Sequence, residues 1–271
     1  MLELGSFPVP GRDRRARSPG ATGVASGDVG FCFTRRHGGR SVAQFATLNL
    51  STEVGDEPSA VVANRAWLLD RLGLARMVWL RAEHGARVEV VARSGGGPAD
   101  ELSTAAPGDG TGAPGDGLVT TSPGVGLAAM SADCALIVCA DPAAGVVGVA
   151  HCGRLGLLAG VVAGSVAAMR AQGASRIVAA VGPTICGACY ELPVEMAREV
   201  TAAVPAAAHR CQTDAGTGHV DVRAGVVAQL LASDVDVRHL IGSCTREDPA
   251  SFSYRRDRTT GRMAAVVWLA P

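Results

Sequence analysis

The chain has 271 residues, 48% hydrophobic and 18% charged, enough apolar material for a sizeable core, which excludes a disordered chain. Acidic and basic residues number 25 each, with no basic stripe suited to a phosphate backbone, so nucleic acid is not an expected partner. Every basic residue is arginine and none is lysine, which excludes Schiff-base chemistry and a Gly-Lys phosphate loop and leaves any anion to arginine.

Residues 1–28 are polar and rich in Gly, Arg and Pro and read as a flexible arm without the apolar core of a signal peptide. No apolar stretch reaches the roughly 18 residues of a membrane span, so neither a membrane nor export is expected, and the cytoplasm is the expected location. Residues 30–36 (GFCFTRR) predict a strand and 45–51 (FATLNLS) a second extended piece. Residues 56–72 predict a helix that starts near Pro58 and stops at Gly73. Residues 77–82 and 86–92 predict strands on either side of Glu83-His84-Gly85. The low-complexity stretch 94–117 predicts a long surface loop.

Further along, 135–140 and 145–150 predict a hairpin, 155–172 a helix and 175–183 a buried strand. Helices are expected at 194–204 and 221–232, a strand at 236–243, and a second hairpin over 252–269 turning at 257–261. Strands and helices mix without a strict βαβ rhythm. The expected fold class is therefore α+β with mixed or antiparallel sheets, in a single domain from residue 29 to the C-terminus.

The eight cysteines, Cys32, Cys134, Cys139, Cys152, Cys186, Cys189, Cys211 and Cys244, are too few for a disulfide scaffold in so long a chain. Two of them raise chemical questions. The stretch SADCALIVCADPAAGVVGVAHCGRLG, 131–156, puts a thiol and an imidazole at the ends of two apolar runs. A symmetric turn at Asp141-Pro142-Ala143-Ala144 pairs 140 with 145, which sets Cys134 directly opposite His151. Cross-strand partners on one face are close enough for a zinc ion to bridge, and Cys139 and Cys152 then face away. A buried cysteine near a strand-end histidine is the plain alternative. A third ligand is needed, and among six histidines His84, in a turn before Gly85, stands out, with a polar turn residue as the plain alternative. A Cys-His-His set leaves a fourth position open and makes a catalytic rather than structural zinc site. The CGAC stretch from Cys186 to Cys189 is a weaker metal or redox signal, which His209 and Cys211 could extend.

Several stretches taken together resemble the bacterial YfiH-like family of laccase-domain or "polyphenol oxidase" proteins, from about residue 30 to the C-terminus. They are HGGRSVAQFATLNLSTEVGDEPSAVVANRAWL, WLRAEHGARVEVV, LVTTSPGVGLAAMSADC, GVVGVAHCG, VGPTICGACYELP, HVDVRAGVVAQLL and CTRED with FSYRRDRTTGRMAAVVWL. The resemblance implies a sandwich of mixed sheets flanked by helices. It also implies a cytoplasmic zinc enzyme that phosphorolyses adenosine, inosine, guanosine and methylthioadenosine and deaminates adenosine. It assigns metal binding to His84, Cys134 and His151. The chain departs from the family pattern at Ala82-Glu83, where a glutamine usually precedes the histidine by two, and at Arg154-Leu155, in place of Trp-Arg.

Phosphorolysis needs cations for phosphate, with Arg154, Arg255, Arg256 and Arg262 as candidates, and Tyr190 and Glu191 as pocket residues. Deamination needs a proton shuttle, with Asp133 or Glu83 as candidates. Three other readings stay open: a cysteine hydrolase using Cys134 with His151 as its base, a non-catalytic nucleoside-binding protein, and a copper oxidase. The last is disfavoured because no His-x-His pair is present.

Overall fold

The computed structural model describes residues 2–9, 28–91, 112–209 and 216–270. Two six-stranded mixed sheets face each other. In spatial order the first holds β1 (Leu2–Phe7), β2 (Val29–Thr34), β14 (Met263–Leu269), β7 (Val125–Ser131), β3 (Arg76–Ala82) and β5 (Ala113–Gly115). The second holds β13 (Asp236–Leu240), β10 (Val178–Val181), β8 (Ala135–Asp141), β9 (Val146–Cys152), β6 (Gly117–Thr120) and β4 (Val88–Val91). A small ribbon pairs β11 (Glu191–Pro193) with β12 (Thr217–His219).

The central strands of each sheet are buried on both faces, which is why they read as unbroken apolar runs rather than alternating ones. Leu136, Val138, Val147 and Val149 face the other sheet and pack with Phe31, Val78, Leu127 and Val267. The opposite parity of the same strands, Ile137, Cys139 and Cys152, packs on α3 (Val161–Ala171) and α5 (Val222–Ala232) through Val162, Val166, Met169, Val226 and Leu230. On the far side of the first sheet, Leu68 and Leu72 of α1 (Pro58–Leu72) cover Val266 and Trp268. This is the expected sandwich of mixed sheets flanked by helices. Among the described residues no helix is long and apolar enough to cross a membrane.

Six expectations are corrected. Part of the expected arm is sheet: Leu2–Phe7 pairs antiparallel with β2, and buried Phe7 stacks on Phe31 at 4.7 Å. Residues 10–27 lie outside the described residues. The stretch 45–51 is not a strand; Leu48 and Leu50 are buried, but side chains of α1 satisfy the backbone there. Asn64 Nδ2 donates to the carbonyls of Thr47 and Asn49, and Arg65 Nε to that of Leu50.

The expected loop over 94–117 ends in structure. Residues 92–111 lie outside the described residues, but β5 pairs parallel with β3 at a sheet edge, where Pro114 is tolerated. The helix expected over 155–172 is broken at Gly160, whose φ of 83° caps α2 (Arg154–Ala159) before α3 begins. The hairpin expected over 252–269 is instead a helical turn, α6 (Tyr254–Asp257), followed by β14. Ser253 Oγ caps that turn by accepting from the Arg256 N–H.

The register of the central hairpin also differs. Asp141 pairs with Val146 and Leu136 with His151, so Cys134 is a diagonal neighbour of His151, not its direct partner. The turn is four residues, 142–145, because Asp141 Oδ1 accepts the N–H groups of Ala143 and Ala144 and Gly145 takes a φ of 65°. A slip of two positions keeps side-chain parity, so the thiol and imidazole still share a face.

Asp141 ties this turn to the rest of the fold, since its Oδ2 accepts from the N–H groups of Ser175 and Arg176, each at 2.8 Å. Burial raises its pKa, but the four backbone donors outweigh it and hold the carboxyl below the usual range. Its contribution is therefore present above the unfolded value of about 3.9 and lost as pH falls through the lower folded value. Asp141→Ala leaves four amides without their acceptor and is expected to destabilise the protein by about 2–4 kcal/mol at neutral pH, read by chemical denaturation. The wild-type advantage should vanish at strongly acid pH.

Candidate metal centre

Cys134 lies just before β8, His151 near the end of β9, and His84 in the turn that follows β3. The two sheets bring these ends together. The Nδ1 or Nε2 of each histidine and Sγ of Cys134 lie within 4.8 Å of one another. The imidazole rings stand nearly perpendicular, at 85°, with centroids 4.8 Å apart.

Asp116 organises the group. It is fully buried between Gly115 and Gly117. Its Oδ1 accepts from His151 Nδ1 at 2.9 Å and from the His84 N–H at 3.0 Å, and its Oδ2 accepts from the Gly85 N–H at 2.6 Å. Its own carbonyl accepts the His151 N–H at 2.9 Å. These bonds hold His84 at a φ of 59°, an uncommon backbone for histidine. They also occupy His151 Nδ1 and leave its Nε2 open for a metal ion, the orientation that carboxylate–histidine–metal sites use. Gly153 is required at this spot, because a Cβ there would lie 2.9 Å from Cys134 Sγ and 3.4 Å from His84 Cδ2.

Electrostatics favour a cation. Burial alone would raise the Cys134 thiol, but the charge of His151 and hydrogen bonds from both histidines pull it down to about 6. Burial would likewise lower His151, but the Cys134 thiolate and Asp116 hold it up at about 9. One thiolate and two imidazoles, one braced by a carboxylate, match the donors of a borderline-soft divalent ion. Bonds of about 2.3 Å to sulfur and about 2.0–2.1 Å to nitrogen would draw the three atoms closer together than they now stand. Cys139 faces the helices instead, and burial pushes its thiol up to about 12.

Two cavities meet at Cys134. The first, about 210 Å³, is walled by Asp133, Arg154, Tyr190, Tyr254, Arg255 and Arg258. The second, about 330 Å³, is walled by Ser51, Glu53, His84, Ser131, His151 and Arg262. Ala132, Cys134 and Tyr254 border both. Arg255 lies over the Tyr190 ring at 5.0 Å and donates to the Glu191 carbonyl. Arg154 makes a 3.4 Å pair with Glu199.

Not every expected residue is free to act there. Both oxygens of Asp133 are engaged, by Thr245 Oγ1 at 2.6 Å and by the Arg255 N–H at 2.7 Å. Arg256 turns away: its guanidinium donates to the carbonyls of Thr245, Arg246, Asp248 and Ser251 and to Asp257. Glu83 pairs with Arg81 and lines neither cavity. Asp116, Glu53, Tyr254 and Arg258 escaped the sequence reading. Asp116 sits in a Gly-Asp-Gly step inside a low-complexity stretch, and nothing in its local sequence marks it. Cys186 and Cys189 stand apart from the triad, beside Cys244; Cys211 lies outside the described residues.

A fold of two mixed sheets with a Cys-His-His cluster at one end defines a laccase-domain protein. Residues 30–270 match the family described as multi-copper polyphenol oxidoreductase laccase, and the chain belongs to that family. It is 48% identical over 252 residues to a protein of Streptomyces griseus named purine nucleoside phosphorylase ORF3, covering 92% of this chain and 97% of the relative. The structure of a Neisseria meningitidis DUF152 protein superposes with a TM-score of 0.77 at 28% identity, covering 100% of this chain and 99% of that one. Bacillus licheniformis YfiH, a hypothetical protein, superposes at 0.77 with 27% identity over 89% of this chain and 92% of that one.

Asp116→Ala removes the partner of one ligand ring and the acceptor that holds the other ligand's backbone. It is expected to weaken metal binding by about 10–100-fold, measured by competition with a chromophoric chelator. Unchanged affinity would show that the carboxylate has no part in the centre.

Proposed function

We propose that the protein is a zinc-dependent purine nucleoside phosphorylase, converting a purine nucleoside and phosphate to the free base and ribose 1-phosphate. The observation that carries this reading is a three-donor cluster opening onto two joined cavities whose walls carry guanidinium groups. The name borne by the Streptomyces griseus relative supports it. His84, Cys134 and His151 would hold the ion, which when bound would supply Lewis acidity to the substrate.

The remaining work falls to the protein's own side chains. A phosphate dianion suits the first cavity, where Arg154, Arg255 and Arg258 converge and where guanidinium offers paired donors. Arg255 is pre-positioned by Tyr190 and the Glu191 carbonyl, so little side-chain freedom is lost on binding. The nucleoside spans the shared border at Cys134 and Tyr254, with its base toward the second cavity. There Arg262, half-buried, stabilises negative charge on the departing purine. Asp133 acts as a positioning residue, fixing the Arg255 backbone and Thr245.

Adenosine deamination at the same centre needs a carboxylate to move protons. Glu53 lines the cavity shared with His84 and His151, whereas Asp133 has no uncommitted oxygen.

Cys134→Ala is expected to lose the zinc ion of the His84–Cys134–His151 centre, measured by elemental analysis as about one ion per chain fewer than wild type, and with it the phosphate-dependent release of hypoxanthine from inosine. A variant that keeps full turnover would remove the metal from the mechanism. Rapid inactivation of metal-free, active wild type by iodoacetamide would point instead to Cys134 as a nucleophile. Glu53→Gln should stop inosine forming from adenosine while sparing hypoxanthine release, both followed by chromatography; equal loss of the two would assign Glu53 to binding.

A further inference from the structure

A second set of ligand-type side chains lies outside the centre just described. Cys186 and Cys189 sit on the loop between β10 and β11, and Cys244 and Glu247 on the segment after β13. The three sulfurs and a Glu247 carboxylate oxygen lie within 4.8 Å of one another. In sequence the set reads as two i, i+3 pairs, Cys-Gly-Ala-Cys and Cys-Thr-Arg-Glu, 58 residues apart. Each pair is folded as a tight turn. The N–H groups of Cys189 and Tyr190 donate to the Cys186 carbonyl, and those of Glu247 and Asp248 to the Cys244 carbonyl. A turn of this kind puts its first and fourth side chains on one side. The parallel bridge between Thr184 and Cys244 then sets the two turns face to face.

The surroundings suit thiolate ligands. The Cys186 N–H points at Cys244 Sγ at 3.4 Å, and Cys189 Sγ lies 3.5 Å from Glu247 Oε1. Ile185 packs with the buried Cys189 and Cys244, while Glu247 closes the group on its exposed side. Arg223 fixes its guanidinium on the carbonyls of Gly182, Ile241 and Gly242, at the roots of both segments. Three thiolates and a carboxylate around a divalent ion carry a net charge of about −2, which a nearby guanidinium offsets.

We propose that Cys186, Cys189, Cys244 and Glu247 form a second, structural metal site for a thiophilic divalent cation such as zinc. Four protein ligands close the coordination shell, unlike the open triad at Cys134. The ion would clamp the loop carrying Ile185 and Tyr190, which wall the first cavity, to the segment carrying Thr245, which holds Asp133. The inference does not depend on the phosphorylase reading, because its ligands share no atom with that centre.

The test is metal stoichiometry on the full chain purified from zinc-supplemented medium, with and without Cys134→Ser. Wild type is expected to hold about two zinc ions per chain and the Cys134→Ser variant about one. After cobalt(II) exchange, that variant should keep strong near-ultraviolet thiolate-to-cobalt absorption, since the triad without Cys134 has no sulfur. Adding Cys189→Ser to the same variant should abolish that absorption. A Cys134→Ser protein with no bound metal, one whose cobalt form lacks thiolate absorption, or a Cys186–Cys189 disulfide in the freshly purified chain would each overturn the proposal. If Cys189→Ser fails to fold, Cys134→Ser alone decides, because all four ligands remain. Failure of the phosphorylase reading would appear as absent turnover with the cobalt signal intact.

Discussion

One buried carboxylate sets the geometry on which the centre depends. Asp116 has no exposed surface, and its neighbours are two glycines where a Cβ would run into Arg87 on one side and Ser165 and Val88 on the other. A buried carboxylate without partners would be costly; here three donors, one from β9 and two from the turn after β3, supply them. Its bonds reach the backbone of one ligand and the ring of the other, so a single residue couples the end of β3 to the end of β9. The three donors are thus pre-placed, with Cys134 and His151 already polarised toward thiolate and imidazolium.

The sandwich explains why such a site can exist at an otherwise apolar edge. The hairpin β8–β9 is buried on both faces along its length, and its polar chemistry is confined to the open end, where Cys134 and His151 emerge. The opposite end of the hairpin is closed by Asp141, another carboxylate whose oxygens are saturated by backbone donors. Both ends therefore use the same device: a small acidic side chain takes up N–H groups that turns leave unpaired.

Around the centre, arginines divide into two groups. Arg256 and Arg223 spend their donors on backbone carbonyls and hold loops in place. Arg154, Arg255 and Arg258 face a cavity instead. In a chain with no lysine, the same residue type must serve both as strut and as anion ligand, and its role is set by how many carbonyls surround it.

The amino-acid sequence by itself determined the apolar runs, the helix from Pro58 to Gly73, the turn at Asp141-Pro142 and the parity that puts Cys134 and His151 on one face. Those features are local, or depend only on side-chain period, so a register two positions off still put the two side chains on one face. His84 stood out by its place before Gly85, and the family resemblance then assigned it to the metal. Only the tertiary structure decided the rest, because it concerns contacts between segments far apart in the chain. Leu2–Phe7 became a strand by pairing with β2, and 45–51 failed to become one because Asn64 and Arg65 captured its carbonyls. Arg256 left the site for four carbonyls, Cys244 joined a CGAC turn 58 residues away, and Asp116 acquired its role from histidines 32 and 35 positions distant. No local pattern encodes a hydrogen bond across that separation; the packing of two sheets does.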